Sequence, residues 1–126
     1  MKVAVIGSRS LMIDIEKYIP EGTTEIITGG TRGINKRVER WADKNRIPKL
    51  IFKQDYRRNG SAAGILASEA IVECADFVVC IWDGESEGTA HAISYARQLG
   101  KPIRAVRILP NGEEVEIENI GEIERD

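Results

Sequence analysis

The segment Asp76–Ile93 reads DFVVCIWDGESEGTAHAI and changes character at Trp82. Up to Trp82 it is a continuous apolar run rich in β-branched and aromatic side chains, which is typical of a strand buried on both faces. A polar turn with two glycines follows, and helical apolar spacing resumes after it. A strand that leads directly into a helix is the repeating unit of parallel α/β folds, so this segment predicts the fold class if the remaining chain repeats it.

The remaining chain repeats the unit. Four more apolar runs are predicted to form strands, at residues 2–6, 25–28, 49–52 and 102–108. Helical spacing lies between the strands, at residues 11–19, 34–43, 62–74 and 89–99. This alternation predicts a single Rossmann-like domain over residues 1–126, a three-layer α/β/α fold with a mostly parallel sheet in the strand order 3-2-1-4-5.

The chain after the fifth strand departs from this alternation. Pro110-Asn111-Gly112 is a hairpin signal, and in the following EEVEIE (113–118) Val115 and Ile117 alternate with glutamates. The pattern predicts an antiparallel edge strand with one face in water, whose acidic side chains discourage edge-to-edge aggregation. Residues 119–126 are predicted to be a frayed tail.

Composition limits the classes of protein to which the chain can belong. The 126 residues are 42% hydrophobic and 30% charged, which suits one compact core, and the formal net charge is −2. No apolar stretch reaches the roughly 18 residues of a membrane span. The chain also enters its first strand at once, so we expect no signal peptide and a cytoplasmic location. The charge disfavours a long nucleic acid as partner, but not a single nucleotide.

Cys74 and Cys80 are the only cysteines, and both have apolar neighbours in the sequence. A disulfide or a metal pair is one interpretation of them. Two buried thiols in a reducing compartment is the interpretation that the pattern favours. We therefore expect free thiols and no metal site.

Three strand-to-helix loops carry glycines and hydroxyl side chains at the rim where Rossmann-like sheets bind ligands. The first is Gly7-Ser8-Arg9-Ser10, after the first strand. Gly7 lets the backbone pass close to a ligand, Ser8 or Ser10 suits a helix cap, and Arg9 suits a phosphate. An ordinary turn with an exposed arginine explains the same residues equally well.

The second loop, Gly29-Gly30-Thr31-Arg32-Gly33, has three glycines in five residues, which is costly unless the backbone needs positive φ or a close approach. It ends at the start of the helix with the clearest spacing, where free N–H groups and the macrodipole favour an anion. Arg32 adds a two-pronged donor. The competing interpretation is a tight strand–helix turn, and the loop matches neither the Walker A sequence nor the dinucleotide fingerprint.

The third loop follows the opening strand. Gly84 and Gly88 permit close approach of a ligand to the backbone, Ser86 and Thr89 offer hydroxyls, and Thr89 suits the helix cap. Asp83 is a candidate acceptor for a ribose or a base. Because the strand order 3-2-1-4-5 puts the second, first and fourth strands side by side, the three loops are predicted to meet in one crevice that binds a polar, phosphorylated ligand.

Other polar side chains near this rim are weaker candidates. His91, the only histidine, falls in the first turn of the last helix, and Asp55 and Tyr56 follow the third strand. A lone histidine is more often a surface residue than part of a site. Trp41 and Trp82 are most simply core residues, although Trp82 could also edge a base pocket.

Five segments, in this order, resemble the SLOG superfamily of SMF/DprA and Lonely Guy proteins, and most closely its YspA/YpsA-like branch of short single-domain proteins. They are KVAVIGSRS, EIITGGTRGIN, DYRRNGSAAG, ADFVVCIWDGESEGTAHAI and GKPI. The resemblance implies a Rossmann-like fold, a homodimer and a pocket for nucleotides or nucleotide-derived ligands. It also aligns Ala67 and Ala92 with the catalytic arginine and glutamate of Lonely Guy phosphoribohydrolases, which implies a pocket without hydrolase side chains.

These observations favour a non-catalytic module that binds or senses a nucleotide-like small molecule, and they identify no further cofactor. The alternative is an enzyme that cleaves an N-glycosidic bond of a nucleotide, with Asp83, Glu69 or His91 as acid or base. A domain that binds DNA or a protein partner is the third class. The negative net charge and the lack of a basic–aromatic stripe disfavour DNA binding.

Overall fold

The computed structural model describes residues 1–117, apart from the side chains of Tyr56 and Ser61. The predicted tail at residues 119–126 and the predicted role of the Tyr56 side chain lie outside this description. The strands are β1 Lys2–Gly7, β2 Glu25–Gly29, β3 Lys49–Phe52, β4 Phe77–Trp82, β5 Ile103–Ile108 and β6 Glu114–Glu116. The helices are α1 Ile34–Lys44, α2 Tyr56–Asn59, α3 Ala63–Cys74 and α4 Glu87–Gln98.

The six strands form one sheet in the order β3-β2-β1-β4-β5-β6. The first five are parallel, with Val3 opposite Phe77 and Gly7 opposite Ile81 where β1 meets β4. β6 pairs antiparallel with β5. The predicted Rossmann-like fold, its strand order and its antiparallel C-terminal strand are therefore confirmed. In this order the chain turns from one side of the sheet to the other between β1 and β4, which is the switch point where such sheets bind ligands.

The sheet separates two hydrophobic cores. One lies under α3 and α4 and includes Ile27, Cys80 and Trp82. The other lies under α1 and the segment 11–19 and includes Ile34 and Val79. The central strands are buried on both faces because each face is covered by packed elements, which explains their continuous apolar sequence.

The predicted helix at residues 11–19 is wrong. The structure contains only a single 3₁₀ turn there, Glu16–Tyr18. The Asp14 carboxylate accepts a hydrogen bond from the Glu16 N–H at 3.1 Å, which competes with helical pairing. Burial of Ile15 and Tyr18, 3% and 2% exposed, holds the segment on the sheet instead.

The two edge strands are more exposed than their sequences suggest. In β3, Lys49 is exposed and Leu50 is 42% exposed, because an edge strand lacks a neighbour on one side. All three residues of β6 are exposed, including Val115 at 44%. The predicted apolar face of this strand is therefore reduced to Ile117, which is 7% exposed and donates its N–H to the Ala105 carbonyl at 2.8 Å.

The two cysteines are free, and they differ in environment. Cys80 is fully buried, and burial raises the pKa of its thiol to about 12. Cys74 is exposed at the end of α3, so the expectation of two buried thiols is wrong for Cys74. Within residues 1–117 no helix has the length and apolar character needed to cross a bilayer.

Candidate functional site

The loops that follow β1, β2 and β4 meet at the carboxyl end of the sheet and enclose a small cleft. Its volume is about 70 Å³. The first turns of α1 and α4 and one side of α3 complete it. The residues that line it are Ile6, Gly7, Arg9, Thr31, Asn35, Gln54, Gly64, Ser68, Ser86, Gly88 and Thr89. The loops predicted to converge do converge.

Two glycines bring the first and second loops into direct contact. Gly33 has φ +77°, and a Cβ there would lie 2.6 Å from the carbonyl oxygen of Arg9 and 2.7 Å from that of Ser8. A Cβ at Gly7 would lie 2.3 Å from the Ile34 side chain. Both positions require glycine. At Gly33 the backbones of the two loops touch, and at Gly7 the first loop packs against the start of α1, so neither position has room for a side chain.

Two buried polar side chains, those of Thr28 and Asn35, shape the second loop. The Thr28 hydroxyl donates to the Val5 carbonyl at 2.6 Å, which ties β2 to β1. Beside it, the Asn35 side-chain amide donates to the Thr31 hydroxyl at 2.5 Å. Asn35 is only 7% exposed and lies in the first turn of α1. This hydrogen bond, from the first turn of α1 back to the loop, therefore holds Thr31 at the cleft.

The third loop is built around the Asp83 carboxylate. One oxygen accepts hydrogen bonds from the N–H groups of Glu85 at 2.8 Å and Ser86 at 2.9 Å. The other accepts from the Ser10 hydroxyl at 2.7 Å. The indole N–H of Trp82 donates to the Ser86 carbonyl at 2.9 Å. Asp83 is thus engaged by its own chain, and Trp82 is a core residue that anchors the turn rather than the edge of a base pocket.

These bonds also determine the protonation of Asp83. Burial by itself would raise the pKa of the carboxyl. The hydrogen bonds that the Glu85 and Ser86 N–H groups and the Ser10 hydroxyl donate to the carboxylate outweigh burial and lower the pKa below its ordinary value. Asp83 is therefore ionised at neutral pH and acts as an acceptor, not as an acid.

Ser86, not Thr89, caps α4. The helix begins at Glu87, two residues before the predicted start, and the Ser86 hydroxyl accepts the Thr89 N–H at 3.4 Å. The two hydroxyl oxygens lie 3.2 Å apart. The hydroxyl of Ser8 connects the first loop to the third, since it accepts the Asp83 N–H at 2.9 Å. Ser8 is fully buried, so it holds the first and third loops together without lining the cleft.

The predicted site residues occupy four different places. The cleft itself is lined by Gly7, Arg9, Thr31, Ser86, Gly88 and Thr89. Ser8, Gly29, Gly30 and Gly33 lie in the same loops without lining it. Asp83 lines a separate cavity, and a Cβ at Gly84 would lie 2.6 Å from the guanidinium of Arg107. Arg32 lines a neighbouring groove along α1. Whether the cleft residues bind a ligand stays a prediction.

Five lining residues were missed by the sequence analysis: Ile6, Asn35, Gln54, Gly64 and Ser68. Gly64 and Ser68 lie four positions apart on α3, which puts them on one face of the helix. The sequence signal that could have identified them is this pair of small residues four positions apart in a helix. A Cβ at Gly64 would lie 3.6 Å from the Gln54 side chain and one at Gly88 3.9 Å from the Ser68 hydroxyl, so these residues border the same space at ordinary contact distances.

The candidate acids and bases lie outside the cleft. His91 and Glu69 pair with each other across α3 and α4, with 2.8 Å between Nε2 and Oε2. Asp55 is exposed and accepts the Arg58 N–H at 3.1 Å at the start of α2. Ala92 is fully buried in the core and does not line the cleft. Among the described residues that line the cleft, Arg9 is the one ionisable group.

Within the described part of the chain, no three His, Cys, Asp or Glu side chains are placed to hold a metal ion. Comparison with protein-family models, with curated proteins and with solved structures finds no significant match to this chain.

Proposed function

We propose that the protein is a non-catalytic module that binds the phosphate of a nucleotide or a nucleotide-derived small molecule in the cleft between its three loops. The observation that supports this most directly is the chemistry of the cleft wall. It combines one guanidinium, of Arg9, with hydroxyl and amide side chains and no carboxylate. Such a wall can donate several hydrogen bonds to an anion and nothing in it repels one.

The helix starts add to this preference. Ser86, Gly88 and Thr89 belong to the start of α4, and Asn35 belongs to the first turn of α1. The N–H groups of a helix's first turn have no partner within the helix, and the macrodipole places partial positive charge there. Two helix starts at one cleft therefore favour a phosphate more than either start alone.

The composition of the cleft wall supports the proposed lack of catalysis. Cleaving an N-glycosidic bond requires an acid or base within hydrogen-bond reach of the reacting atoms. The described residues of the cleft wall include no carboxylate or imidazole. Ala67, which precedes the wall residue Ser68 in the chain, has no polar side chain either. Glu69 and His91 are engaged with each other on the α3–α4 surface.

The volume of the cleft limits how the ligand is bound. Pockets that enclose a whole small molecule have volumes of roughly 300–1,000 Å³. The cleft has about 70 Å³, room for a phosphate-sized group but not for a nucleoside. The nucleoside of the ligand is therefore expected to lie outside the cleft, against the surrounding loops.

Titration calorimetry with AMP, ADP and ADP-ribose tests this proposal. We expect Arg9→Gln to weaken AMP binding by about tenfold or more, because a charge-assisted hydrogen bond is lost. Arg46→Gln is the matched control, since Arg46 is exposed in the turn after α1 and lines no part of the cleft. Failure of folded wild-type protein to bind any of the three compounds would overturn the proposal.

The lack of catalysis has its own measurement. Prolonged incubation with AMP, followed by chromatography, is expected to release no adenine above a buffer blank. Release of adenine that disappears in Asp83→Asn would instead establish the N-glycosidase.

We further infer a homodimer, for which the SLOG resemblance is the main support. Ile65 and Leu66 of α3 are 39% and 45% exposed, and we propose that they belong to the surface that a second copy covers. Light scattering is expected to give twice the mass of the chain. A monomer for wild type at micromolar concentration contradicts this inference without affecting the cleft.

A further inference from the structure

A groove rich in cations runs along the first half of α1, next to the cleft. Its volume is about 230 Å³, and its lining residues are Met12, Arg32, Gly33, Lys36, Arg37 and Arg40. We call this surface the basic groove. Four of its six lining residues are cationic, although the whole chain has a net charge of −2.

The charges of the basic groove are placed unfavourably for the protein alone. The first turn of α1 has no acidic residue, and cations near a helix N-terminus oppose the macrodipole. Lys36 and Arg40 are also one helical turn apart, where like charges repel. Of the four groove cations, Lys36 is the one with an ion pair among the described residues, to Glu39 at 3.2 Å, and Arg37 donates to the Met12 carbonyl at 3.5 Å. An anion in the groove would relieve these repulsions.

The basic groove and the cleft are neighbours. Thr31 lines the cleft and Arg32, the next residue, lines the groove, so the two cavities share the loop after β2. Gly33, which lines the groove, packs closely against the backbone of Arg9, which lines the cleft. A ligand whose phosphate fills the small cleft must extend outward, and the basic groove is an adjacent space with room for more of it.

The cations of the basic groove are spread along α1 and the loop before it. Lys36 and Arg40 are four positions apart on α1, about 6 Å along the helix axis at a rise of ~1.5 Å per residue, and Arg32 lies in the loop before the helix. Met12, 64% exposed, supplies an apolar surface at the groove. A row of positive charges beside an apolar side chain suits a ligand that carries phosphates separated by a nucleoside.

We propose that the basic groove is a second anion subsite of the same binding site, and that the ligand is a nucleotide with at least two separated phosphates, such as a dinucleotide. This inference rests on the proposed function of the cleft. One phosphate occupies the cleft at Arg9 and Thr31, and the next occupies the groove at Lys36 and Arg40. A long nucleic acid is the disfavoured occupant, because negative charge dominates the chain outside the groove.

Calorimetry with AMP and with the 5′-phosphorylated dinucleotide pApA tests the second subsite. Wild-type protein is expected to bind pApA about tenfold more tightly than AMP, because pApA adds one phosphate with charge-assisted hydrogen bonds. Arg40→Gln is expected to remove most of that ratio. Lys44→Gln, an exposed cation on the same helix that lies outside the groove, is the matched control and is expected to keep the ratio.

The outcomes separate the two proposals. Equal affinities of wild type for AMP and pApA would overturn the second subsite and leave the cleft proposal standing. No binding of either compound by folded protein would overturn both. A series of longer oligoadenylates whose affinity keeps rising with each added nucleotide would also overturn the dinucleotide assignment, in favour of an open path for single-stranded nucleic acid. A circular dichroism spectrum of each variant shows that it is folded.

Discussion

Two helices begin at the same rim of the sheet, and their N-termini are built in opposite ways. α4 has Ser86 as a cap, Glu87 in its first turn and the Asp83 carboxylate behind it. α1 has Gly33 before it, no side-chain cap and no acid in its first turn. The start of α4 is thus held by a side-chain cap from its own loop. The start of α1 has no such cap and is held by the backbone packing of Gly33, with cations in the turns that follow. The difference teaches that two helix starts at one rim can be held by different means, one by a side-chain cap and one by backbone packing.

The largest expected effect is at Gly33, where α1 depends on packing instead of a cap. Gly33→Ala is expected to lower the free energy of unfolding by ~3 kcal/mol, because the residue has positive φ and its Cβ would meet the backbone of Ser8 and Arg9. Gly88→Ala at the start of α4 is the control, since its Cβ has no neighbour closer than 3.9 Å. Urea denaturation measures both. Equal effects would remove the proposed difference between the helix starts.

Asp83 is expected to have the next largest effect, on the α4 side. Asp83→Ala is expected to lower the free energy of unfolding by ~2 kcal/mol at pH 7, because it removes the acceptor of two backbone N–H groups. Glu85→Ala is the control in the same turn, because Glu85 is exposed. A loss no larger than that of Glu85→Ala would show that the turn holds without the carboxylate.

The Asp83 effect is also expected to depend on pH. The pKa of Asp83 is lowered in the folded protein, so its stabilisation is complete above the unfolded value of about 3.9. It is lost as the pH falls through the lower folded value. The stability difference between wild type and Asp83→Ala should therefore be constant from pH 7 to about pH 5 and shrink towards pH 3. A difference that grows on acidification would contradict this assignment.

The cap of α4 gives a smaller effect. Ser86→Ala is expected to cost ~1 kcal/mol of unfolding free energy, the usual value of an N-cap. Ser94→Ala makes the same chemical change inside α4, where alanine is the better helix former, and should cost little or nothing. Thermal unfolding followed by circular dichroism compares the two. If Ser86→Ala is as mild as Ser94→Ala, the α4 terminus is not secured by its cap.

The smallest effect has the opposite sign. Arg40→Gln is expected to raise the free energy of unfolding by ~0.3 kcal/mol, because it relieves repulsion from Lys36 on the α1 surface. Lys44→Gln removes a cation from the last turn, where the macrodipole favours it, and should lower stability slightly. Both effects should vanish in 1 M salt. A destabilised Arg40→Gln would mean that the cations of α1 already stabilise the free protein.

Much of the fold was predictable because its signals are local. The apolar runs of β1 and β4 and the spacing of α1 each occupy one short segment, and their alternation was enough to predict the strand order. The segment 11–19 failed for the same reason. Its apolar residues matched a helix, but Asp14 competes locally for a backbone N–H and burial of Tyr18 decides the conformation.

The candidate site was only partly predictable. The three loops were found from their glycines, and the cap was assigned to Thr89 when the chain uses Ser86. Arg32 was assigned to the phosphate loop but lines the basic groove. Asn35 and Ser68 were missed because each is a small polar residue within a helical pattern, and no local signal tells whether it lies at a cleft.

By itself, the sequence determined the parallel strands and the helices α1, α3 and α4, and that the loops after β1, β2 and β4 share one rim, since apolar periodicity and turn chemistry act within a few residues. Only the tertiary structure decided which side chains line the cleft, that Asp83 is engaged within its own loop, and that the cations of α1 form a groove beside the cleft. These depend on the direction in which residues distant in the chain point once the helices have packed on the sheet, and no spacing along the chain encodes that direction.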